Sequence, residues 1–191
     1  MKPKISQKVQ FGVITIAAAI GFIASFLQML EKLTLLKNAH AVLACNLNST
    51  FNCTNILNAH QSSVFGFPNS MLCMSFFMFT FSAGLIGWMG GQIATKLRLV
   101  YEFFAVFFVC FGFWYFWQSI FNVGSICIYC LFCYGGVLAI NSAWFRLNYK
   151  DLPVNKPTRK AFDWAINNGA DILFWILIAA VIALEAILKF A

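Results

Sequence analysis

From Ala41 to Thr95, and again from Phe103 to Phe145, this chain carries no Asp, Glu, Lys or Arg, and Val9 to Leu30 is a third such run. Few folds tolerate that. A soluble domain places a charge at about every fourth residue, whereas a helix crossing a hydrocarbon core of about 30 Å needs roughly 20 largely apolar residues and leaves charge out. Composition agrees, with 61% of the 191 residues hydrophobic, 10% charged and 23 of them Phe. A soluble enzyme is excluded. The net charge of +7 would gather into a patch or stripe on a nucleic-acid binder. Here it is split into short clusters between neutral stretches, so nucleic acid is not an expected partner. The sequence describes an all-α integral membrane protein.

Five spans are expected, at about 9–30, 69–90, 99–120, 127–146 and 170–189, within a single transmembrane domain. The first follows Lys2, Lys4 and Lys8 and is too long for a cleaved leader, with Ala17-Ala18-Ala19 in mid-span. The third and fourth share the block Phe103–Phe145, which breaks near Asn122–Ser125. The fifth, Ile172–Leu184, is short, and reaches full length only if Glu185 and Lys189 sit at the interface, four residues apart and able to pair. With the N-terminus inside, Lys2, Lys4, Lys8, Lys96, Arg98, Arg146, Lys150, Lys156, Arg159 and Lys160 all fall on the cytoplasmic side. Only Lys32, Lys37 and Lys189 lie outside, which satisfies the positive-inside rule. The connector 146–168, with Pro153 and Pro157, is then a solvated inner loop, and the segment at about 34–68 is an outer one.

Seven cysteines are distributed unevenly over that topology. Cys45 and Cys53 fall in the outer loop, and Cys127 and Cys130 at the outer mouth of the fourth span, so four thiols converge where disulfides persist. Cys73, Cys110 and Cys133 lie within spans and read as small packing residues. Residues three apart share a helix face, so Cys127 and Cys130 stand together, with Ser125 placed to cap the helix ahead of them. A thiol at a helix N-terminus has its pKa lowered by the dipole, and a larger thiolate fraction speeds exchange. Tyr134 continues the stripe into the bilayer. Thiols above a phenol suit a lipid-soluble redox partner; the competing reading is coincidence in an apolar helix that contains cysteine.

Beyond Lys37 the outer loop is polar without Lys, Arg, Asp or Glu: Asn46, Asn48, Asn52, Asn55, Gln61, Ser62 and Ser63 are among its side chains, and His60 is read as structural. Such a segment can lie on the membrane without burying ions. With Phe51, Ile56, Leu57, Val64, Phe65 and Phe67 dipping toward the helices, it forms a lid that brings Cys53 near Cys127. Asn48-Ser49-Thr50 and Asn52-Cys53-Thr54 match the glycosylation pattern, a weak signal.

Cys45 and Cys53, then Phe65-Gly66-Phe67-Pro68-Asn69, then Cys127-x-x-Cys130 with Tyr134 four residues on, resemble the vitamin K epoxide reductase family over roughly residues 9–146. The Phe-Gly-Phe-Pro-Asn wording is similar to its bacterial branch. The resemblance implies a four-helix bundle around a quinone (ubiquinone or menaquinone), capped by the loop, with a fifth helix in bacterial members. It also implies the bacterial inner membrane. By the same resemblance, Cys45 exchanges with a thioredoxin-fold partner, Cys53 relays to Cys127, Cys130 reacts with the quinone, and Asn69 and Tyr134 hydrogen-bond its oxygens. Such donors would stabilise the charge that develops on reduction. The chain departs from the family at Ala59, where many members have Ser, with Ser62 or Ser63 nearby. No fused thioredoxin domain is expected before Ala191, so the partner is a separate polypeptide.

The expected function is therefore a quinone-dependent thiol–disulfide oxidoreductase that generates disulfides. Reduction of a quinone epoxide by the same thiols is the alternative within the family. The bacterial four-helix disulfide-forming protein has its two cysteine pairs in the reverse order. Two readings lie outside this chemistry: a soft metal held by Cys127, Cys130 and Cys133, and a structural protein with incidental cysteines.

Overall fold

The computed structural model describes residues 7–190, so Lys2 and Lys4 lie outside the described residues. Its helices, in chain order, are α1 (Gln7–Lys37), α2 (Cys53–Asn58), α3 (Asn69–Trp88), α4 (Thr95–Gln118), α5 (Ile128–Asn148), α6 (Lys156–Asn168) and α7 (Ala170–Phe190). A 3-10 turn at His60–Ser63 follows α2, and a π-helical turn at Ser119–Val123 extends α4. Five helices (α1, α4 with its extension, α3, α5 and α7) are long and apolar enough to cross a membrane. The fold is that of an all-α integral membrane protein.

α1, with 31 residues, is about 46 Å long at about 1.5 Å per residue. That exceeds a hydrocarbon core of about 30 Å, so its last turns, carrying Glu31, Lys32 and Lys37, project past the bundle. α1 packs against both α3 and α5, and α4 packs against α5. Lipid offers apolar groups as good as any protein interior, so helices in a bilayer associate through close backbone approach at small residues. Gly84 shows this between α3 and α1. A Cβ there would stand 2.7 Å from Thr15 Oγ1 and 2.9 Å from the Thr15 backbone nitrogen. Phe77, Ile14, Ile140 and Trp144 fill the interior, all with no exposed surface.

α7 stands at the periphery, with only Asp171 and Ile182 buried. It is fixed near its start rather than near its end. Asp171 Oδ2 and Oδ1 accept from Arg146 Nε at 2.5 Å and Nη2 at 2.8 Å. Glu185 and Lys189 form no ion pair, in contrast to the expectation that they would pair at the far interface; among the described residues the ion pairs are Arg146–Asp171 and Arg98–Asp151.

The segment after α1 folds over one end of the bundle as a lid. Its neutral polar side chains bond to one another and to the backbone. Asn46 Nδ2 donates to Thr54 Oγ1 at 2.8 Å, and Asn48 Oδ1 accepts from the amides of Thr50 and Phe51 at 3.0 and 2.7 Å. Asn52 caps α2 by accepting from the Asn55 amide at 3.2 Å. Ile56 and Leu57 are buried beneath the lid, whereas Val64, Phe65 and Phe67 are exposed, not dipped into the bundle. Gly66 turns the chain between these rings at φ 82°, and Phe65 instead meets Phe111 of α4, with ring centroids 5.9 Å apart.

Candidate functional site

Lid and bundle join where α4 gives way to α5. Gly124, at φ 70°, ends the π turn in a left-handed conformation that suits a residue without Cβ. The chain then runs extended alongside the lid: the Ile126 amide donates to Thr50 O at 2.7 Å, and the Asn52 amide to Ile126 O at 3.1 Å. Ser125 does not cap α5. Its hydroxyl accepts from Asn55 Nδ2 at 2.9 Å, and Cys127 itself is the capping residue. Ser125 is thus a rivet between lid and bundle, because lid pairing holds it two residues short of the capping position.

This junction stacks the cysteines. Cys45 and Cys53 form a disulfide with their Cα atoms 5.8 Å apart. Cys53 Sγ lies 3.4 Å from Cys127 Sγ, and both residues are inaccessible to solvent, at 0% and 1% exposure. Cys130 is one turn deeper and buried. The Cys127 thiol has its pKa lowered, chiefly because the Cys130 thiol hydrogen-bonds it, with the amides of Cys130 and Tyr129 adding to the effect; burial and the Glu31 carboxylate oppose it. The helix N-terminus contributes through those two amides, as the helix-dipole argument anticipated, but the neighbouring thiol is the larger cause.

Behind Cys130 a cavity of about 60 Å³ opens between α1, α3, α4 and α5. Asn69, Cys73, Phe108, Phe111, Tyr115, Phe116, Cys130, Cys133 and Tyr134 are among the residues that line it. The walls are mostly aromatic and the polar groups few, the usual character of a small-molecule pocket. Asn69 is held from the lid, its Nδ2 donating to Gln61 O at 2.7 Å. Its Oδ1 is buried with no hydrogen-bond partner, an acceptor left open in an apolar wall, where an unmade bond costs about 1–3 kcal/mol. Tyr134 donates its hydroxyl to Val109 O at 3.3 Å. The phenol is on the cavity wall as anticipated, but its proton is already committed to the backbone of α4. These residues fit a quinone–quinol couple: flat aromatic walls for the ring, the open Asn69 Oδ1 as an acceptor for a hydroxyl of the reduced ring, and a thiol at the edge.

All six residues singled out from the sequence meet at this end of the bundle, in two sets. Cys45, Cys53, Cys127 and Cys130 form the sulfur stack; Asn69, Tyr134 and again Cys130 border the cavity. Among the wall residues not anticipated are Gln28, Lys32, Ser70 and Tyr115, whereas Ser62, named beside the Ala59 departure, is on the wall. Gln28 and Lys32 had a signal, as polar side chains one helical turn apart at the end of an apolar run. Tyr115, inside a run of aromatics, had none. The remaining cysteines differ from one another. Cys133 is buried and Cys73 half-buried, both on the cavity wall, whereas Cys110 is exposed on the outer surface of α4 rather than packed. Among the described residues no group of three His, Cys, Asp or Glu could hold a metal ion, so a cluster at Cys127, Cys130 and Cys133 lacks the geometry.

A family model described as the vitamin K epoxide reductase family matches residues 12–143. No curated protein matches the chain. The matched region runs from the first turns of α1 almost to the end of α5 and contains the whole sulfur stack and the cavity: this chain belongs to the vitamin K epoxide reductase family of membrane oxidoreductases.

Proposed function

We propose that the protein accepts electrons from a reduced thioredoxin-fold partner, a separate polypeptide, and passes them through Cys45/Cys53 and Cys127/Cys130 to a membrane quinone, so generating disulfides for protein folding. The observation that carries this reading is the 3.4 Å between Cys53 Sγ and Cys127 Sγ beside a closed Cys45–Cys53 bond. Exchange requires a thiolate to meet a disulfide sulfur, and here they are in contact.

The steps balance with the residues present. The partner's dithiol reduces the Cys45–Cys53 disulfide and leaves as a disulfide. The Cys53 thiolate attacks Cys127 of a Cys127–Cys130 disulfide, forming a Cys53–Cys127 bond and releasing Cys130. Cys45 then attacks Cys53, restoring Cys45–Cys53 and releasing Cys127. A quinone in the cavity would supply a two-electron, two-proton acceptor. Cys127 and Cys130 give up two electrons and two protons as their disulfide re-forms. The arrangement described above, with the lid pair closed and the helix pair open, corresponds to the stage just before that last step.

Orientation and source belong to the same proposal. Lys96, Arg98, Arg146, Lys150 and the basic residues of α6 lie at the end of the bundle away from the lid, which supports a cytoplasmic position for that end. The lid is then extracytoplasmic. Phe65-Gly66-Phe67-Pro68-Asn69 supports the bacterial branch, and with it the bacterial inner membrane.

The test is Cys45→Ala. Without Cys45 the relay stops after its first exchange, and a Cys53–Cys127 disulfide accumulates on non-reducing mass spectrometry. Cys130→Ala abolishes quinone reduction. Unimpaired turnover in either variant overturns the relay. Activity on a quinone epoxide and none on the quinone transfers the function to the epoxide reaction.

A further inference from the structure

Gln28 is an amide in an unfavourable place. It lies within the charge-free run of α1, is 7% exposed, and belongs to the cavity wall. Moving an amide from water to an apolar site is costly when no hydrogen bond compensates, and the partner Gln28 has is a weak one. Its Nε2 donates to Cys130 Sγ at 3.2 Å, across 102 positions of sequence. Leu or Met would pack this site as well at less cost. An intramembrane polar residue of this kind marks function before stability.

The two deeper cysteines of α5 give the comparison that decides what it does. Cys130 and Cys133 are both buried, about one turn apart, and line the same cavity. Yet they face opposite partners on α1. The Cys130 sulfur receives an N–H, whereas the Cys133 thiol donates its own hydrogen to Gly21 O at 3.7 Å. A donor aimed at sulfur stabilises the anionic thiolate, and an acceptor holds the neutral thiol. One face of α1 therefore treats two similar sulfurs in opposite ways. That face is also fixed in rotation, because Lys32, one turn beyond Gln28, donates its ammonium to Leu57 O of the lid at 2.5 Å.

We infer that Gln28 is a positioning residue that selects Cys130 over Cys133 as the reactive thiol of the cavity, through its N–H to sulfur hydrogen bond. The amide neither gains nor loses a proton or an electron; it biases which sulfur carries negative charge and fixes where that sulfur points. The inference rests on the reading of Cys130 as the thiol that reacts with the electron acceptor, but its test needs neither acceptor nor partner.

The experiment measures iodoacetamide alkylation of Cys130 and Cys133, peptide by peptide, in the reduced full-length protein with Cys127→Ser. Gln28→Met keeps the volume and removes the donor; Gln28→Glu keeps the shape and places an acceptor against the sulfur. A hydrogen bond to a charged group is worth about 1.5–3 kcal/mol, about tenfold or more in a rate that follows the thiolate. Both variants are therefore expected to slow Cys130 at least tenfold while leaving Cys133 within twofold, so that the preference for Cys130 collapses. A Cys130 rate unchanged within twofold in either folded variant overturns the inference. So does a parallel change at both cysteines, the signature of altered packing. Failure of both variants to fold makes Gln28 a structural residue and overturns it as well. If the alkylation preference depends on Gln28 yet the intact protein reduces no quinone, the selection stands and the proposed function falls.

Discussion

Cys127 is held between a hydrogen-bond donor, the Cys130 thiol, and the Cys45–Cys53 disulfide. Because the Cys130 thiol is the main cause of its lowered pKa, Cys127 loses its proton more readily than an ordinary cysteine. The pH midpoint for its alkylation by a small reagent is accordingly expected to rise in Cys130→Ala, which removes the donor. An unshifted midpoint in that variant contradicts the assignment. The two cavity-wall polar residues taken from the sequence differ in consequence. Asn69 presents an unpartnered acceptor, whereas the Tyr134 hydroxyl is engaged by Val109 O. Asn69→Leu removes the donor that ties the cavity wall to Gln61 O, together with an acceptor for the hydroxyls of the reduced ring, and is expected to raise the KM for quinone by about tenfold or more. Tyr134→Phe, which keeps the ring, is expected to change KM less than Asn69→Leu. Equal effects in steady-state kinetics indicate that the phenol turns from Val109 to the ligand.

At the scale of helices, small residues and one ion pair decide what packs on what. α1 and α3 approach so closely at Gly84 that even Gly84→Ala drives a methyl into Thr15, including its backbone nitrogen. A core insertion of this kind costs about 1–3 kcal/mol, and a lower unfolding temperature in detergent is its measure. α7 depends instead on charge. Arg146 and Asp171 are nearly inaccessible, their side chains 8% and 3% exposed. Removing one partner strands the other as a buried charge, at a cost of about 3–5 kcal/mol, whereas replacing both with apolar residues of similar volume is often neutral. Asp171→Ala is thus expected to loosen α7, seen as protease cleavage around Gly169, and the double change Arg146→Met with Asp171→Leu to restore protection. Persistent cleavage in the double variant points to a role for the ions beyond anchoring.

Across the whole molecule, what could be read in advance was what depends on composition along the chain. Absence of charge over Val9–Leu30 and Phe103–Phe145 is enough to demand membrane helices, and the lack of Lys, Arg, Asp and Glu over residues 38–68 is enough to suggest a lid. What could not be read depends on how each helix is rotated about its axis. The sequence places Gln28 on a helix but not on the side facing Cys130. It places Ser125 before a helix but not under Asn55, and it cannot tell that Phe65 turns outward to Phe111 while Ile56 turns in. Cys110, Cys73 and Cys133 look alike as letters, and only packing separates a lipid-facing thiol from two that border a cavity. The lid itself adds one last property. Residues 38–68 contribute no Lys, Arg, Asp or Glu of their own and are fastened chiefly through amides, hydroxyls and backbone groups, with Lys32 and Glu31 of α1 bonding two of those backbone groups. Dissolved ions weaken attraction between exposed charges but leave neutral hydrogen bonds nearly untouched. The cover over the sulfur stack should therefore stay shut at low and at high ionic strength alike.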